Sequence, residues 1–126
     1  MFQKIRIAAA TSVFLLLSVA AYAEPVSIVY SCELKEGSSK EDAMEINARW
    51  LKWARATAGS DDITSSYVSA VIGELGGFMW VDTYPDLATW ATIVDADSDF
   101  DAEFDEIMLC SSNRMYRGEE TMPARE

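Results

Sequence analysis

The chain has 126 residues with 21 acidic and 10 basic side chains, a formal charge of −11, and 50% hydrophobic residues. A chain this acidic lacks the clustered Lys and Arg that nucleic acids and anionic membranes require, which argues against both as partners. It contains no histidine, which excludes Ser-His-Asp and Cys-His catalysis, histidine-ligated haem and the ordinary zinc sites.

The first 23 residues have the pattern of a secretory signal peptide. Lys4 and Arg6 form a short positive start, residues 7–21 are almost wholly apolar, and the Ala-Tyr-Ala of residues 21–23 supplies a cleavage site. An uncleaved anchor is the alternative, but a membrane-spanning helix requires about 20 apolar residues. The pattern therefore favours a mature protein of residues 24–126 that is periplasmic or secreted, with no membrane segment after cleavage.

The start of the mature chain predicts a strand followed by a long helix. Residues 26–32 are rich in β-branched and aromatic side chains with partial alternation, which is typical of a strand. Ser39 and Asp42 have capping-box spacing, as does an overlapping pair one residue earlier, and Gly59 is a natural helix end. The helix side expected to face the core carries Ile46, Trp50, Trp53 and Ala54, flanked by Asn47 and Leu51.

Two further strands are predicted to form a hairpin. Residues 63–72 alternate small polar with larger side chains, and residues 78–84 give the strongest strand pattern in the chain. The flexible residues 73–77 connect the two strands. Pro85 is expected to end the second strand because proline has no backbone donor.

The last third of the chain predicts two helical stretches and a strand. Thr83 and Asp86 have capping-box spacing ahead of a helix that runs to Val94. Ser98 with Asp101 predicts the start of a further helical stretch. Its apolar side is expected to bury Phe100, Phe104, Ile107 and Met108. Residues 109–117 give a weak strand pattern, and residues 118–126 are expected to be a flexible polar tail.

The element order β-α-β-β-α-β predicts an α+β, ferredoxin-like (split βαβ) domain over residues 24–117. Its usual strand order, 4-1-3-2, places the first and last strands side by side and antiparallel. Cys32 near the end of the first strand and Cys110 near the start of the last then meet at one end of the sheet. Because exported proteins enter an oxidising space, a Cys32–Cys110 disulfide is predicted.

The stretch FMWVDTYPDLATWA (residues 78–91) resembles the third-strand-to-second-helix junction of the dimeric α+β barrel superfamily, which includes the antibiotic-biosynthesis monooxygenase-like families. It is similar in particular to exported bacterial members with a W-V-D-x-Y-P-x-L-x-x-W junction. The resemblance implies a homodimer with sheets packed face to face, and a pocket between sheet and helices in each protomer. Members that use a pocket histidine are not matched by this chain.

The candidate pocket residues that follow from the resemblance are Asn47, Trp50, Trp80, Asp82 and Tyr84. Core packing, helix capping or dimer contact is the alternative role for each of them.

An acidic run offers a different site. Carboxylates occupy positions 1, 3, 5, 9 and 12 of an EF-hand-like pattern, namely Asp95, Asp97, Asp99, Glu103 and Glu106. Phe100 replaces the glycine that the sharp turn of such a loop requires, and Phe100 and Phe104 fit a helical face better than a loop. The alternative to a calcium site is an acid-rich helix start, where negative charge suits the helix dipole.

These observations predict an exported homodimer that requires no cofactor and either binds a small, largely apolar molecule or acts as an extracytoplasmic partner protein. The first alternative is a cofactor-independent monooxygenase or isomerase in the same pocket, with turnover that depends on Asn47, Asp82 or Tyr84. The second is a calcium-binding protein that uses residues 95–106. The sequence does not decide between a binder and an enzyme.

Overall fold

The computed structural model describes residues 24–73 and 76–118, so the predicted signal peptide and the tail from residue 119 lie outside the described residues. The strands are β1 (Val26–Leu34), β2 (Thr64–Ser69), β3 (Phe78–Tyr84) and β4 (Met108–Arg117). The helices are α1 (Lys40–Ala58), α2 (Leu87–Val94) and α3 (Phe100–Ile107). No helix in these two ranges is long and apolar enough to cross a bilayer.

The four strands form one antiparallel sheet in the order β2-β3-β1-β4. Helix α1 connects β1 to β2, β2 and β3 form a hairpin, and α2 and α3 connect β3 to β4. This order is the predicted one, and the ferredoxin-like fold is confirmed. Strand β3 has the predicted bounds, whereas β2 is shorter than the predicted residues 63–72.

The helices cover one face of the sheet, and the core lies between the two layers. One buried cluster joins Val26 and Tyr84 of the sheet to Ala54 of α1 and Ile93 of α2. A second cluster consists of Cys32, Ala43, Phe78, Trp80 and Met108. Because side chains alternate along a strand, the residues between the core positions lie on the opposite face of the sheet.

Helix α1 has both predicted ends. Ser39 is its N-cap, and its side chain accepts a hydrogen bond from the Asp42 backbone N–H at 3.1 Å while the Asp42 carboxylate accepts from the Ser39 N–H at 2.9 Å. Gly59 ends the helix with φ of 64°. Glycine adopts this left-handed conformation without the steric conflict that a Cβ atom would introduce.

The predicted starts of the two short helices are wrong by one to three residues. Asp86, not Thr83, is the N-cap of α2, and its carboxylate accepts from the Thr89 N–H at 2.7 Å. Asp99, not Ser98, precedes α3, and it makes no side-chain capping bond. The short Asp86–Thr89 bond satisfies a free helix donor directly, so no reciprocal capping box is needed.

The predicted disulfide between Cys32 and Cys110 is present and joins the neighbouring strands β1 and β4. The register shifts at this point, because Ser31 pairs with Ser112 while Cys32 pairs with Cys110, which leaves Ser111 as the bulged residue. Gly77 passes close by, and a Cβ atom there would lie 2.9 Å from the Cys32 carbonyl oxygen. Only glycine fits this approach without a backbone shift.

Candidate functional site

A cavity of about 380 Å³ lies between the sheet and the helices α1 and α3. We call it the sheet–helix cavity. It is lined by Tyr30, Asn47, Trp50, Trp80, Asp82, Asp101, Phe104, Asp105, Met108, Cys110 and Asn113. Two other depressions, of about 450 and 540 Å³, are wider surface grooves beside the residue 76–77 loop and along the outside of α1.

Four of the eleven residues that line the cavity are aromatic, and these four come from four different elements. Tyr30 and Trp80 are register partners on β1 and β3, so they stand side by side on the helix-covered face. Trp50 lies on α1, and Phe104 lies on α3. The Trp80 indole N–H points to the Met108 sulfur at 3.3 Å, which fixes the ring orientation. Rings held in this way give a flat apolar surface that is already formed before a ligand arrives.

Helix α3, which forms one wall, is attached to α1 by an ion pair and by ring contacts. Arg49 of α1 donates two hydrogen bonds to Glu103, and the shorter is 2.6 Å long. The Trp53 ring lies 5.8 Å from the Phe100 ring, and the Arg49 guanidinium lies 5.9 Å from the same ring. These contacts set the distance between α3 and α1 and therefore the width of the cavity.

Asp82 is the one acidic side chain buried beneath this surface, and only 6% of it is exposed. Its Oδ1 accepts a short hydrogen bond from the Ser65 hydroxyl, its register partner on β2. The Asn47 amide of α1 donates to the same hydroxyl at 3.0 Å. The result is a chain of hydrogen bonds from α1 through β2 to β3, which ends on the carboxylate.

Burial raises the pKa of Asp82 from 3.8 to about 6, and the Ser65 hydrogen bond opposes this rise. Burial, reinforced by the negative charges of Asp82 and Asp101, raises the pKa of Tyr30 to about 12. The cavity therefore holds a carboxylate able to exchange a proton near neutral pH and a phenol that keeps its proton. Such a pair can accept and donate protons without a metal or a cofactor.

The structure brings four of the five predicted pocket residues, Asn47, Trp50, Trp80 and Asp82, into the lining of this cavity. Tyr84 does not line it. Instead, Tyr84 is 2% exposed and lies in the core cluster with Ala54 and other buried residues. Burial and the nearby Asp82 and Tyr30 raise the pKa of its hydroxyl.

The sequence prediction missed Tyr30, Phe104 and Ser65. Tyr30 continues in sequence the alternation of the buried Val26 and Ile28 of β1, and the helical spacing predicted that Phe104 is buried, so a signal existed for both. Ser65 gave none, because its role depends on lying opposite Asp82 across the hairpin.

The acidic run does not form the loop that a calcium site of the EF-hand type requires. Residues 100–107 are helical, so the carboxylates of Glu103 and Glu106 are spread around α3. Glu103 is occupied by Arg49. Within residues 24–73 and 76–118, no three Asp, Glu, Cys or His side chains come close enough to hold a metal ion.

Comparison with known proteins gives matches to solved structures alone, since no family model and no curated protein matches the sequence. SnoaB, a cofactor-independent oxygenase from Streptomyces nogalater, matches with a TM-score of 0.61 and 8% identity, over 81% of this chain and 100% of SnoaB. The hydroxynitrile lyase of Passiflora edulis matches with a TM-score of 0.54 and 14% identity, over 79% of this chain and 98% of the lyase.

A NIPSNAP-like domain protein from Burkholderia xenovorans also matches, with a TM-score of 0.54 and 14% identity, over 80% of this chain and 90% of that protein. At these identities the likeness is one of fold. The resemblance to dimeric α+β barrel proteins is confirmed at that level.

Proposed function

We propose that the protein is an exported homodimer that binds a small, largely apolar molecule in the sheet–helix cavity. The observation that carries the proposal is the lining itself, which combines four aromatic rings with a single buried carboxylate. A volume of about 380 Å³ lies in the usual range for small-molecule sites, roughly 300–1,000 Å³. Aromatic and apolar side chains combined with polar groups at fixed positions are the general design of such sites.

Nuclear magnetic resonance of the indole N–H groups tests this proposal with an internal control. Trp50 and Trp80 line the cavity, whereas Trp53 and Trp90 pack elsewhere in the protein. A library of small aromatic compounds should contain members that shift the Trp50 and Trp80 signals and leave those of Trp53 and Trp90 in place. A library that moves all four signals equally, or none, would contradict a ligand site in this cavity.

Proton-transfer catalysis in the same cavity is the second candidate function. It is favoured by Asp82, whose pKa of about 6 suits a general base, and by Tyr30, which can donate a hydrogen bond to a developing oxyanion. SnoaB, described as a cofactor-independent oxygenase, and the Passiflora hydroxynitrile lyase are catalysts with this fold that are consistent with such a role.

Deuterium exchange into an aromatic ketone such as phenylacetone tests this candidate without knowledge of the substrate. A base at Asp82 should speed exchange at the carbon next to the carbonyl, and the rate should rise as pH increases through about 6. Asp82→Asn should abolish the acceleration. Exchange that is unchanged in that variant would leave binding as the only function of the cavity.

The open face of the sheet is the proposed dimer surface. Val81 and Val29 are register partners at its centre, and Met79 beside them is 39% exposed. Val81→Glu should place a charge in that interface and produce monomers in sedimentation analysis. Ala56→Glu, on the exposed side of α1, is the matched control and should leave the dimer intact.

Export is part of the proposal and is supported by the signal pattern of residues 1–23 and by the Cys32–Cys110 disulfide. Cell fractionation followed by mass spectrometry should find a chain that begins at Glu24, two hydrogens lighter than the reduced form. A full-length, reduced chain in the cytoplasm would contradict export.

A further inference from the structure

We propose that the ligand of the sheet–helix cavity is an organic cation, a protonated amine carried on an aromatic or aliphatic body. This inference rests on the proposed binding function and specifies the chemistry of its ligand.

The charge of the lining is the first argument. Three carboxylates line the cavity, Asp82 at its buried side and the exposed Asp101 and Asp105 on α3. Among the described residues that form the lining, no Lys or Arg is present. The two basic side chains attached to α3 serve other acceptors, since Arg49 pairs with Glu103 and Lys35 donates to the Asp105 backbone carbonyl. The cavity therefore presents negative charge without a built-in counter-ion.

The aromatic rings are the second argument, because they attract the same kind of ligand as the carboxylates. A cation within about 6 Å of a ring centre is drawn to the negative face of the ring, most strongly for tryptophan. The cavity offers Trp50, Trp80, Tyr30 and Phe104. Rings combined with carboxylates form the general recognition surface for ammonium groups that keep an apolar body.

The hydrogen bonding of Asp82 is the third argument. Ser65 is the only partner of its carboxylate within the described part of the chain, and it occupies Oδ1. Asp82 is among the residues that line the cavity, although it is only 6% exposed. A neutral ligand would leave an ionised, poorly solvated carboxylate without a counter-ion, whereas a protonated amine supplies both the charge and a hydrogen-bond donor.

An anionic ligand is disfavoured by the same groups. It would meet Asp82, Asp101 and Asp105 with no positive side chain of the lining to compensate them. The hydroxyls of Tyr30 and Tyr84 also lie near Asp82, and their raised pKa keeps both neutral at physiological pH. An ammonium group is therefore the charge type that this surface complements best.

Three probes of one shape and different charge test the inference: 4-phenylbutylammonium, 4-phenylbutanol and 4-phenylbutyrate. Each is titrated at about pH 7.5 into protein purified from cells that express the full chain, and the Trp50 and Trp80 indole signals report binding. An alkylammonium group keeps its proton up to about pH 10, so only the protein titrates. The ammonium probe should bind at least about tenfold more tightly than the alcohol, and the carboxylate more weakly than the alcohol.

Variants that remove negative charges identify the carboxylates that cause the preference for the ammonium probe. Asp82→Asn should reduce the ammonium-to-alcohol ratio to about threefold or less, because it removes the charge and nearly preserves the shape of the side chain. Asp101→Asn combined with Asp105→Asn is a second variant, which alters only exposed side chains and should reduce the ratio about two- to fivefold. Asp61→Asn with Asp62→Asn makes the same change of net charge on an exposed turn away from the cavity and should leave the ratio unaltered.

The outcomes separate the two proposals. If the alcohol or the carboxylate binds as tightly as the ammonium probe, the cation inference is overturned while the binding function stands. The cation inference is also overturned if the Asp61 and Asp62 changes remove the preference for the ammonium probe. The probe would then be attracted by the net charge of the protein and not by the cavity. If none of the three probes moves the cavity indoles, the binding function and the cation inference fail together.

Discussion

Replacement of Asp82 by asparagine should stabilise the protein, which is unusual for the removal of a buried hydrogen-bonded group. Asparagine has nearly the same size, and its Oδ1 can still accept from the Ser65 hydroxyl. What disappears is the charge of a carboxylate that is only 6% exposed. Raising its pKa from 3.8 to about 6 corresponds to about 3 kcal/mol of lost folding free energy once the group is ionised.

The pH dependence fixes the sign of this effect. Below about pH 4, Asp82 is protonated in both the folded and the unfolded chain, so it carries no penalty. Between about pH 4 and 6 the unfolded chain ionises first and binds fewer protons than the folded chain, so stability falls as the pH rises. Above about pH 6 both forms are ionised and the penalty is constant.

Urea unfolding and thermal unfolding of the wild type and the variant over this pH range are the assays. At about pH 7.5 Asp82→Asn should raise the free energy of unfolding by about 2–3 kcal/mol and Tm by roughly 10–20 °C. At about pH 3.5 the two proteins should unfold alike. Ser65→Ala is the control with the opposite sign, because it removes the hydrogen bond that lowers the pKa of Asp82. A variant less stable than wild type at pH 7.5, or a difference that does not change with pH, would refute the reasoning.

Further predictions concern the disulfide, the close contact between Gly77 and the Cys32 carbonyl, and the cavity wall. Cys110→Ser should lower the free energy of unfolding by about 4 kcal/mol in the loop-entropy account, since the bridge closes a separation of 78 residues; equal urea midpoints for the two proteins would contradict it. Gly77→Ala should destabilise by about 1–3 kcal/mol because its Cβ would meet the Cys32 carbonyl, whereas Gly76→Ala, which meets nothing within 4 Å, should be close to neutral in the same assay. Phe104→Ala should weaken binding of the tightest cavity ligand about tenfold by calorimetry, and unchanged affinity would remove α3 from the binding wall.

The sequence predicted the fold and the disulfide because the local patterns that define β3 and the ends of α1 were strong. Strand β3 is rich in aromatic and β-branched residues and is followed by Pro85, so its bounds followed directly. Ser39 and Gly59 marked the ends of α1 by their capping chemistry. Once the element order was known, the antiparallel pairing of β1 and β4 brought Cys32 and Cys110 together.

The candidate site was predicted less completely because it depends on register and on helix placement. Trp80, Asp82 and Tyr84 share one face of β3. The alternation of side chains does not predict which part of that face a helix covers and which part stays open. Ala54 of α1 closes over Tyr84, whereas the space beside Trp80 and Asp82 stays open. The role of Ser65 required the hairpin register, which the glycine-containing connection left undetermined.

The same carboxylate that makes the cavity a candidate site also weakens the fold, and the two properties share one cause. Burial keeps water from Asp82, which destabilises its charge in the free protein and strengthens any charge that a ligand brings to it. A cationic ligand should lower the pKa of Asp82 and stabilise the folded chain by linkage. Its effect on Tm should therefore be larger at about pH 7.5 than at about pH 4.5, where binding must first remove a proton, and this difference should vanish in Asp82→Asn.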